Sequence, residues 1–287
     1  MDKKLTAPDI AGRKGGQRLA MLTAYDYPTA LALDQAGVDM LLVGDSLAMA
    51  VLGHPDTLSV TLDEMVHHTK AVSRAAQRAL VVGDLPFLSY QAGVERAVLA
   101  AGRLVQEGGA RAVKLEGAGY LREVEAMVRA GIPVMGHVGL TPQLVAGLGG
   151  FKVQGKTAEA AALLVREAQA LEAAGCFAVV LEALPAVVAR EITARLRVPT
   201  IGIGAGPHCD GQVLVVHDVV GLFERFTPKF VKCYAELGKL MQDAAREYAR
   251  EVREGAFPAD EHAFAMNAAE AAAFHDLLEG LDIESKS

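Results

Sequence analysis

The sequence has no tryptophan, only three cysteines, and 5% aromatic residues across 287 positions. So few rings leave little material for the stacking platforms that grip single-stranded nucleic acid. Cys176, Cys209 and Cys233 are odd in number and show no C-x-x-C spacing, which excludes a disulfide scaffold and fits reduced thiols in a cytoplasmic protein. No apolar run reaches the roughly 18 residues of a membrane span. The opening MDKKLTAPDIAGRKGG has no apolar segment behind its charges, so the pattern of a secretory signal is missing. Positive charge is also scarce: 28 Lys+Arg stand against 35 Asp+Glu, a net charge of −7. That balance argues against a general nucleic-acid or anionic-membrane binder, while a local basic site for an anionic ligand stays open.

What is present is the composition of a globular protein, 52% hydrophobic and 22% charged, with 29 Gly and 11 Pro. At about 150 residues per domain the length allows two domains, and a single α/β barrel of about 250 residues fits equally well. Short apolar runs, at 19–23, 39–43, 79–83, 111–115, 132–136, 177–181, 199–203 and 212–216, alternate with longer amphipathic stretches. Apolar runs without polar alternation are what parallel strands covered on both faces look like. Between them, Thr61 with Glu64 forms a capping box ahead of an apolar face made of Leu62, Met65, Val66, Thr69 and Val72. Thr141-Pro142 reads as another helix start, and Gly37, Gly108, Gly131 and Gly175 read as helix ends.

Eight strands in β-then-α order predict a (β/α)8 TIM barrel. The competing doubly wound sheet lacks its fingerprint, a G-x-G-x-x-G opening the first helix after a strand. The expected organisation is a single barrel domain over 1–287, with an N-terminal extension at 1–18 and C-terminal helices and tail at 229–287. About thirty residues per βα unit account for roughly 240 of the chain.

In such a barrel the chemistry sits at the C-terminal ends of the strands. There the sequence places Asp45 and Ser46, Asp84, Lys114 and Glu116, His137, Glu182, the loop Gly202–Gly206, and His217-Asp218. The V-G-D triplet occurs twice, at Val43-Gly44-Asp45 and Val82-Gly83-Asp84. Either aspartate alone reads more readily as a helix N-cap. Two carboxylates on adjacent strands repel unless a proton or cation lies between them, and oxygen ligands favour a hard ion such as Mg²⁺. Glu116 can complete that site directly or through water, or simply pair with Lys114 on the rim. Lys114 lies on the same side of its strand as Glu116, where it offers a fixed positive charge to a substrate carboxylate or oxyanion; a Schiff-base role is the alternative. His137 is a candidate hydrogen-bond donor to substrate or a structural histidine. Glu182, in the apolar run V-V-L-E-A, is a candidate base of raised proton affinity or a rim ion pair. A metal chelating an α-keto acid beside such a base is the arrangement for enolisation.

The same residues lie in motifs that resemble the ketopantoate hydroxymethyltransferase (3-methyl-2-oxobutanoate hydroxymethyltransferase) family. These are M-L-T-A-Y-D at 21–26, G-D-S-L at 44–47, T-L-x-V-T-L-D-E-M at 57–65, D-L-P-F-x-S-Y at 84–90, K-L-E-G at 114–117 and P-V-M-G-H-V-G-L-T-P-Q at 133–143. K-V-Q-G-K at 152–156, G-I-G-A-G at 202–206, C-D-G-Q-V-L-V at 209–215, P-K-F-V-K at 228–232 and G-x-F-P-x-x-E-H at 255–262 continue the likeness. It implies a Mg²⁺-dependent barrel of the phosphoenolpyruvate mutase/isocitrate lyase superfamily type with extra C-terminal helices. It also implies transfer of a one-carbon unit from 5,10-methylenetetrahydrofolate to 3-methyl-2-oxobutanoate through a Mg²⁺-stabilised enolate, giving 2-dehydropantoate on the way to pantothenate. By the same resemblance Asp45 and Asp84 are metal ligands, with Glu116 in or just outside the coordination shell. Ser46 and Lys114 bind the keto acid together with the metal-bearing aspartates, His137 lines its site, and Glu182 takes the C3 proton. A cytoplasmic homodecamer, built as a dimer of pentamers, is the implied assembly. Ala118 departs from the family's frequent second glycine after K-L-E-G, and residues 267–287 lie beyond the shared motifs. Another Mg²⁺-enolate lyase or decarboxylase, or a barrel that only binds a metabolite, are the alternatives.

Overall fold

The computed structural model describes residues 3–148, 150, 152–222 and 228–284. Two compact units divide the chain, Met1–Glu236 and Leu237–Ser287. The first is a closed barrel of eight parallel strands in sequential order. They are β1 (Leu19–Thr23), β2 (Met40–Val43), β3 (Leu80–Asp84), β4 (Ala112–Lys114), β5 (Val134–Gly139), β6 (Ala178–Glu182), β7 (Thr200–Ile203) and β8 (Gly211–Leu214). The helices of this unit are α1 (Ala7–Ala11), α2 (Tyr27–Gln35), α3 (Leu47–Ala50), α4 (Leu62–Ala75), α5 (Val94–Gln106), α6 (Leu121–Arg129), α7 (Val145–Leu148), α8 (Ala158–Ala173), α9 (Ala186–Arg195) and α10 (Val216–Val219). The second unit holds α11 (Leu237–Glu254) and α12 (Ala268–Glu284), the two helices expected in the tail, and it starts eight residues later than the sequence pattern suggests.

Strand side chains alternate between two apolar layers, as the pleat requires. Met21, Met40, Leu42, Leu80, Val82, Ala112, Met135, Ala178, Val180, Ile201 and Val213 fill the barrel interior. Leu41, Val43, Val81, Val113, Val138, Val179 and Leu181 face outward onto the helices, against Met65, Leu104, Met127, Leu171 and Ile192. Both faces are buried, which is why the strands read as unbroken apolar runs. The interior parity of β3 is 80, 82, 84; of β4, 112 and 114; of β5, 135 and 137; of β6, 178, 180 and 182. Continued to the C-terminal ends, these rows carry Asp84, Lys114, His137 and Glu182 inward.

The other end of the barrel is closed by the N-terminal segment. Ala7 and Ile10 of α1 join the interior cluster with Phe177. The expected extension is therefore a plug, held by Leu5 N–H to Arg78 O (2.7 Å), Arg13 to Asp39 (3.1 Å) and Lys14 to Asp210 (2.9 Å). The α4 capping box forms as the sequence indicates: Thr61 Oγ1 accepts from Glu64 N–H at 3.2 Å and Glu64 Oε2 from Thr61 N–H at 2.8 Å. Two local expectations shift. After α5 it is Gly109, not Gly108, that takes the left-handed conformation (φ 75°). After Thr141-Pro142 the chain makes a single 3₁₀ turn, Pro142–Leu144, before the short α7, and the Thr141 hydroxyl caps neither.

Candidate active site

The mouth at the C-terminal strand ends gathers the titratable residues singled out in the sequence. Asp84 and Lys114 are cross-strand partners of β3 and β4, and Lys114 Nζ donates to Asp84 Oδ1 at 3.0 Å and Oδ2 at 2.9 Å. Lys114 Nζ also lies 3.7 Å from Glu116 Oε1, as does His137 Nδ1. On the far side His137 Nε2 is 3.5 Å from Glu182 Oε2. Asp45 stands two residues beyond β2, and its backbone N–H points to Asp84 Oδ2 at 3.4 Å. Ser46 Oγ is bonded to Tyr25 OH at 2.8 Å. Asp45, Asp84, Lys114, Glu116 and His137 are each 5% exposed or less, and the Glu182 side chain is the more open at 19%. Neither aspartate caps a helix with its side chain: Asp45 accepts from Gln143, and Asp84 from Lys114 and the Asp45 N–H.

Two glycines make the close approaches possible. A Cβ on Gly44 would stand 2.9 Å from Ser46 Oγ, and one on Gly139, which has φ 104°, would stand 2.2 Å from Glu182 O. The glycine loop after β7, by contrast, is shaped by packing, with Phe230 lying over Gly204.

One ammonium faces four carboxylates, and the proton affinities follow. Burial raises Asp45 and Glu116, the latter well above the usual carboxylate range, against the pull of Lys114. Burial pushes Asp84 up to about 7 and Glu182 up to about 8, again opposed by Lys114. Burial works against the charged form of Lys114, but Asp84, Glu116 and Asp45 more than compensate and hold it protonated. His137 is driven well below its ordinary value, first by burial and then by Lys114, so its ring is neutral. Its Nε2–H donates to Leu140 O at 2.7 Å. A neutral ring has one N–H, so what His137 turns toward the site is the acceptor Nδ1, which is buried without a partner.

The donor set suits a hard cation. Every anionic group is an oxygen ligand, and the buried Thr57 hydroxyl beside Asp45 adds a further oxygen. Among the described residues no three His, Cys, Asp or Glu side chains close into a ready-made cage. Lys114 occupies both oxygens of Asp84, and Glu116 Oε2 accepts from Gln143 N–H at 3.0 Å. This arrangement matches an ion such as Mg²⁺, which takes one or two carboxylates directly and keeps much of its water.

Sequence reasoning passed over three residues of the site. Gln143, Tyr90 and Tyr25 are all buried and all hydrogen-bonded to residues it did single out. Each lies inside a motif, T-P-Q, D-L-P-F-x-S-Y or M-L-T-A-Y-D, so the signal was present, although the partner each one holds is not encoded by spacing.

A closed parallel (β/α)8 barrel with buried carboxylates and one lysine gathered at its C-terminal mouth has the layout of a barrel enzyme. The fold is shared with 2,3-dimethylmalate lyase, itself a member of the PEP mutase/isocitrate lyase superfamily, at a TM-score of 0.58 and 17% identity over 98% of this chain and 99% of the other. Residues 4–260 match the model of the family described as ketopantoate hydroxymethyltransferase. A 3-methyl-2-oxobutanoate hydroxymethyltransferase from Oleidesulfovibrio alaskensis is 62% identical over 98% of this chain and 97% of its own length. One from Syntrophobacter fumaroxidans is 60% identical over 94% and 96%. The chain belongs to the ketopantoate hydroxymethyltransferase family.

Proposed function

We propose that the protein transfers a hydroxymethyl group from 5,10-methylenetetrahydrofolate to 3-methyl-2-oxobutanoate, producing 2-dehydropantoate. The observation that carries this reading is the convergence, in one buried mouth, of Lys114, neutral His137, three carboxylates and a fourth, Glu182, whose proton affinity is raised to about 8. The one-carbon donor rests on the sequence resemblance. Asp45 and Asp84 would hold Mg²⁺, with Glu116 directly or through water. When bound, the ion supplies positive charge for the keto oxygen and carboxylate of the substrate.

The chain's own groups do the rest. Lys114, fixed by Asp84, and the Ser46 hydroxyl orient the α-keto acid, and the lysine's charge favours the oxyanion that develops as C3 is deprotonated. His137 lines the keto-acid site; the acid itself carries no N–H or O–H, so the partner open to the Nδ1 lone pair is the hydroxyl of the product. Glu182 removes the C3 proton; a carboxylate whose proton affinity lies near neutrality is matched to that task. The C3 electron pair forms a bond to the methylene carbon of the donor. Both bonds from that carbon to nitrogen break, water takes the place of nitrogen as the hydroxyl, and the proton taken from C3 and one from water go to the two nitrogens of the departing tetrahydrofolate.

Incubation with Mg²⁺, the keto acid and methylenetetrahydrofolate should yield 2-dehydropantoate. Absence of product would sink the assignment, and C3 hydrogen exchange without product would move it to another enolate reaction of the same barrel type. No described helix is long and apolar enough to cross a membrane. The cytoplasmic homodecamer implied by the resemblance is part of the proposal, and a light-scattering mass of the intact enzyme tests it.

A further inference from the structure

The most fully bonded side chain in the mouth is not an ionisable one. Gln143, on the 3₁₀ turn after β5, is 2% exposed. Its Nε2 donates to Asp45 Oδ2 at 3.0 Å and to Leu85 O at 2.9 Å. Its Oε1 accepts from Tyr90 OH at 2.8 Å and from Gln91 Nε2 at 3.0 Å. Its backbone N–H donates to Glu116 Oε2 at 3.0 Å. All four hydrogen-bonding positions of the carboxamide are used, and the partners fix its sense. Asp45 and Leu85 O can only accept, so the NH₂ must face them. Tyr90 OH takes the Glu116 N–H at 3.2 Å, and of the two acceptors within reach of its own proton Gln143 Oε1, at 2.8 Å, is nearer than Glu116 O, at 3.2 Å.

We propose that Gln143 is a positioning residue that sets Asp45 and Glu116 in register with each other for the divalent cation. It engages one oxygen of each carboxylate, Asp45 Oδ2 and Glu116 Oε2, and leaves Asp45 Oδ1 and Glu116 Oε1 for the ion or its water. The carboxamide holds Asp45 and the backbone N–H of the same residue holds Glu116, so neither contact adds charge to a site already rich in carboxylates. A lysine there would compete with the cation, and a glutamate would repel Asp45. The two carboxylates come from loops after different strands, β2 and β4, and Gln143 from the loop after β5, so the bridge ties three loops at one point. Partners of this kind, which orient ligands without touching the metal, commonly change affinity by about 10–100-fold when removed.

The inference rests on the reading of Asp45 and Glu116 as cation ligands, and the experiment separates the two. Mn²⁺ is titrated into EDTA-stripped full-length enzyme and followed by the electron paramagnetic resonance of the free ion, for wild type, Gln143→Met and Gln143→Asn. Met keeps the shape and removes every side-chain hydrogen bond, leaving only the backbone N–H to Glu116; Asn keeps the chemistry and withdraws it by one methylene. Mn²⁺ binding by wild type tests the ligand reading alone, and its failure overturns both. Gln143→Met and Gln143→Asn should bind Mn²⁺ about 10–100-fold more weakly while remaining folded by circular dichroism. With saturating Mn²⁺, kcat should recover more than the KM for the ion. A folded Gln143→Met with Mn²⁺ affinity within about twofold of wild type overturns the positioning role. Failure of both variants to fold overturns it too, and assigns the residue to the core. If wild type binds Mn²⁺ and the variants do not, yet no 2-dehydropantoate is formed, the proposed reaction falls and the role of Gln143 stands.

Discussion

The two ends of the barrel treat the same side chain in opposite ways. At the closed end Asp210 is partly buried, and burial favours its protonated form. Lys14 at 2.9 Å, Thr200 N–H at 2.8 Å and Gly15 N–H at 3.0 Å outweigh that and hold its proton affinity below the usual value. At the open end Asp84 has Lys114 against both of its oxygens and still rises to about 7, because burial is deeper and Asp45 adds like charge. Donors at the closed end are matched to one carboxylate, whereas at the mouth a single ammonium is shared among several. Matched charge secures a structure. Unmatched charge holds a demand for protons or cations, and that demand is what the proposed chemistry uses.

The sharpest break in this contrast is Glu182→Gln. It should lower C3 proton exchange by about 10²–10⁴-fold while keto-acid binding survives. Deuterium exchange followed by NMR checks it, and retained exchange removes Glu182 as the base. At the other end Ile10→Ala opens a cavity under the plug and should cost about 2–5 kcal/mol of stability with kcat per folded molecule unchanged. Denaturant unfolding with a parallel assay measures both, and a matching loss of kcat would show that the two ends are coupled.

The pH dependence comes next. For Asp84 and Glu182 the folded-state values, about 7 and about 8, lie above the unfolded carboxylate range near ~4. The folded state therefore binds more protons across that window, so their contribution to stability falls as pH rises from ~4 toward about 8. Mg²⁺ favours the ionised forms, so its stabilisation should be greater at pH 8 than at pH 5, reaching about 2.7 kcal/mol at a hundredfold excess over its Kd. Thermal melts with and without EDTA at the two pH values read this out, and equal shifts would contradict it. Smallest is Asp210→Asn, which should cost about 1–2 kcal/mol and leave the activity–pH profile in place; a displaced profile would mean that charge at the closed end is felt at the mouth.

The barrel was legible because its strands are buried on both faces, and the site because period-two parity carries Asp84, Lys114, His137 and Glu182 inward from apolar rows. Asp45 breaks that rule. Its parity matches the outward residues Leu41 and Val43, and it reaches the mouth only because β2 ends at Val43 and the chain turns beyond it. No periodicity predicts such a turn. The sense of His137 was also beyond reach, since it depends on Leu140 O, a backbone atom brought back by the loop after β5. Gln143 escaped notice for the converse reason: an uncharged amide in a sequence looks like any other until its partners surround it. At the end of α5 the chain leaves the helix just ahead of Gly108, as read, but it is Gly109 that takes the left-handed conformation, a choice between adjacent glycines that pattern alone cannot make.

Strand parity has a consequence for how this site can change over time. In β3 the inward Asp84 is preceded by Gly83, where an added Cβ would meet Leu104 of α5 at 3.4 Å, on the outer side of the wall. Removing one residue from the middle of that strand, with the rest kept in place, would exchange these positions and turn the carboxylate from the mouth into the helix layer. The strands behave like text in a reading frame: substitutions alter single letters, while a one-residue insertion or deletion inverts every letter downstream. By this rule only the loops can absorb a change in length, and the chemistry of the mouth is guarded by the count of residues as much as by their kind.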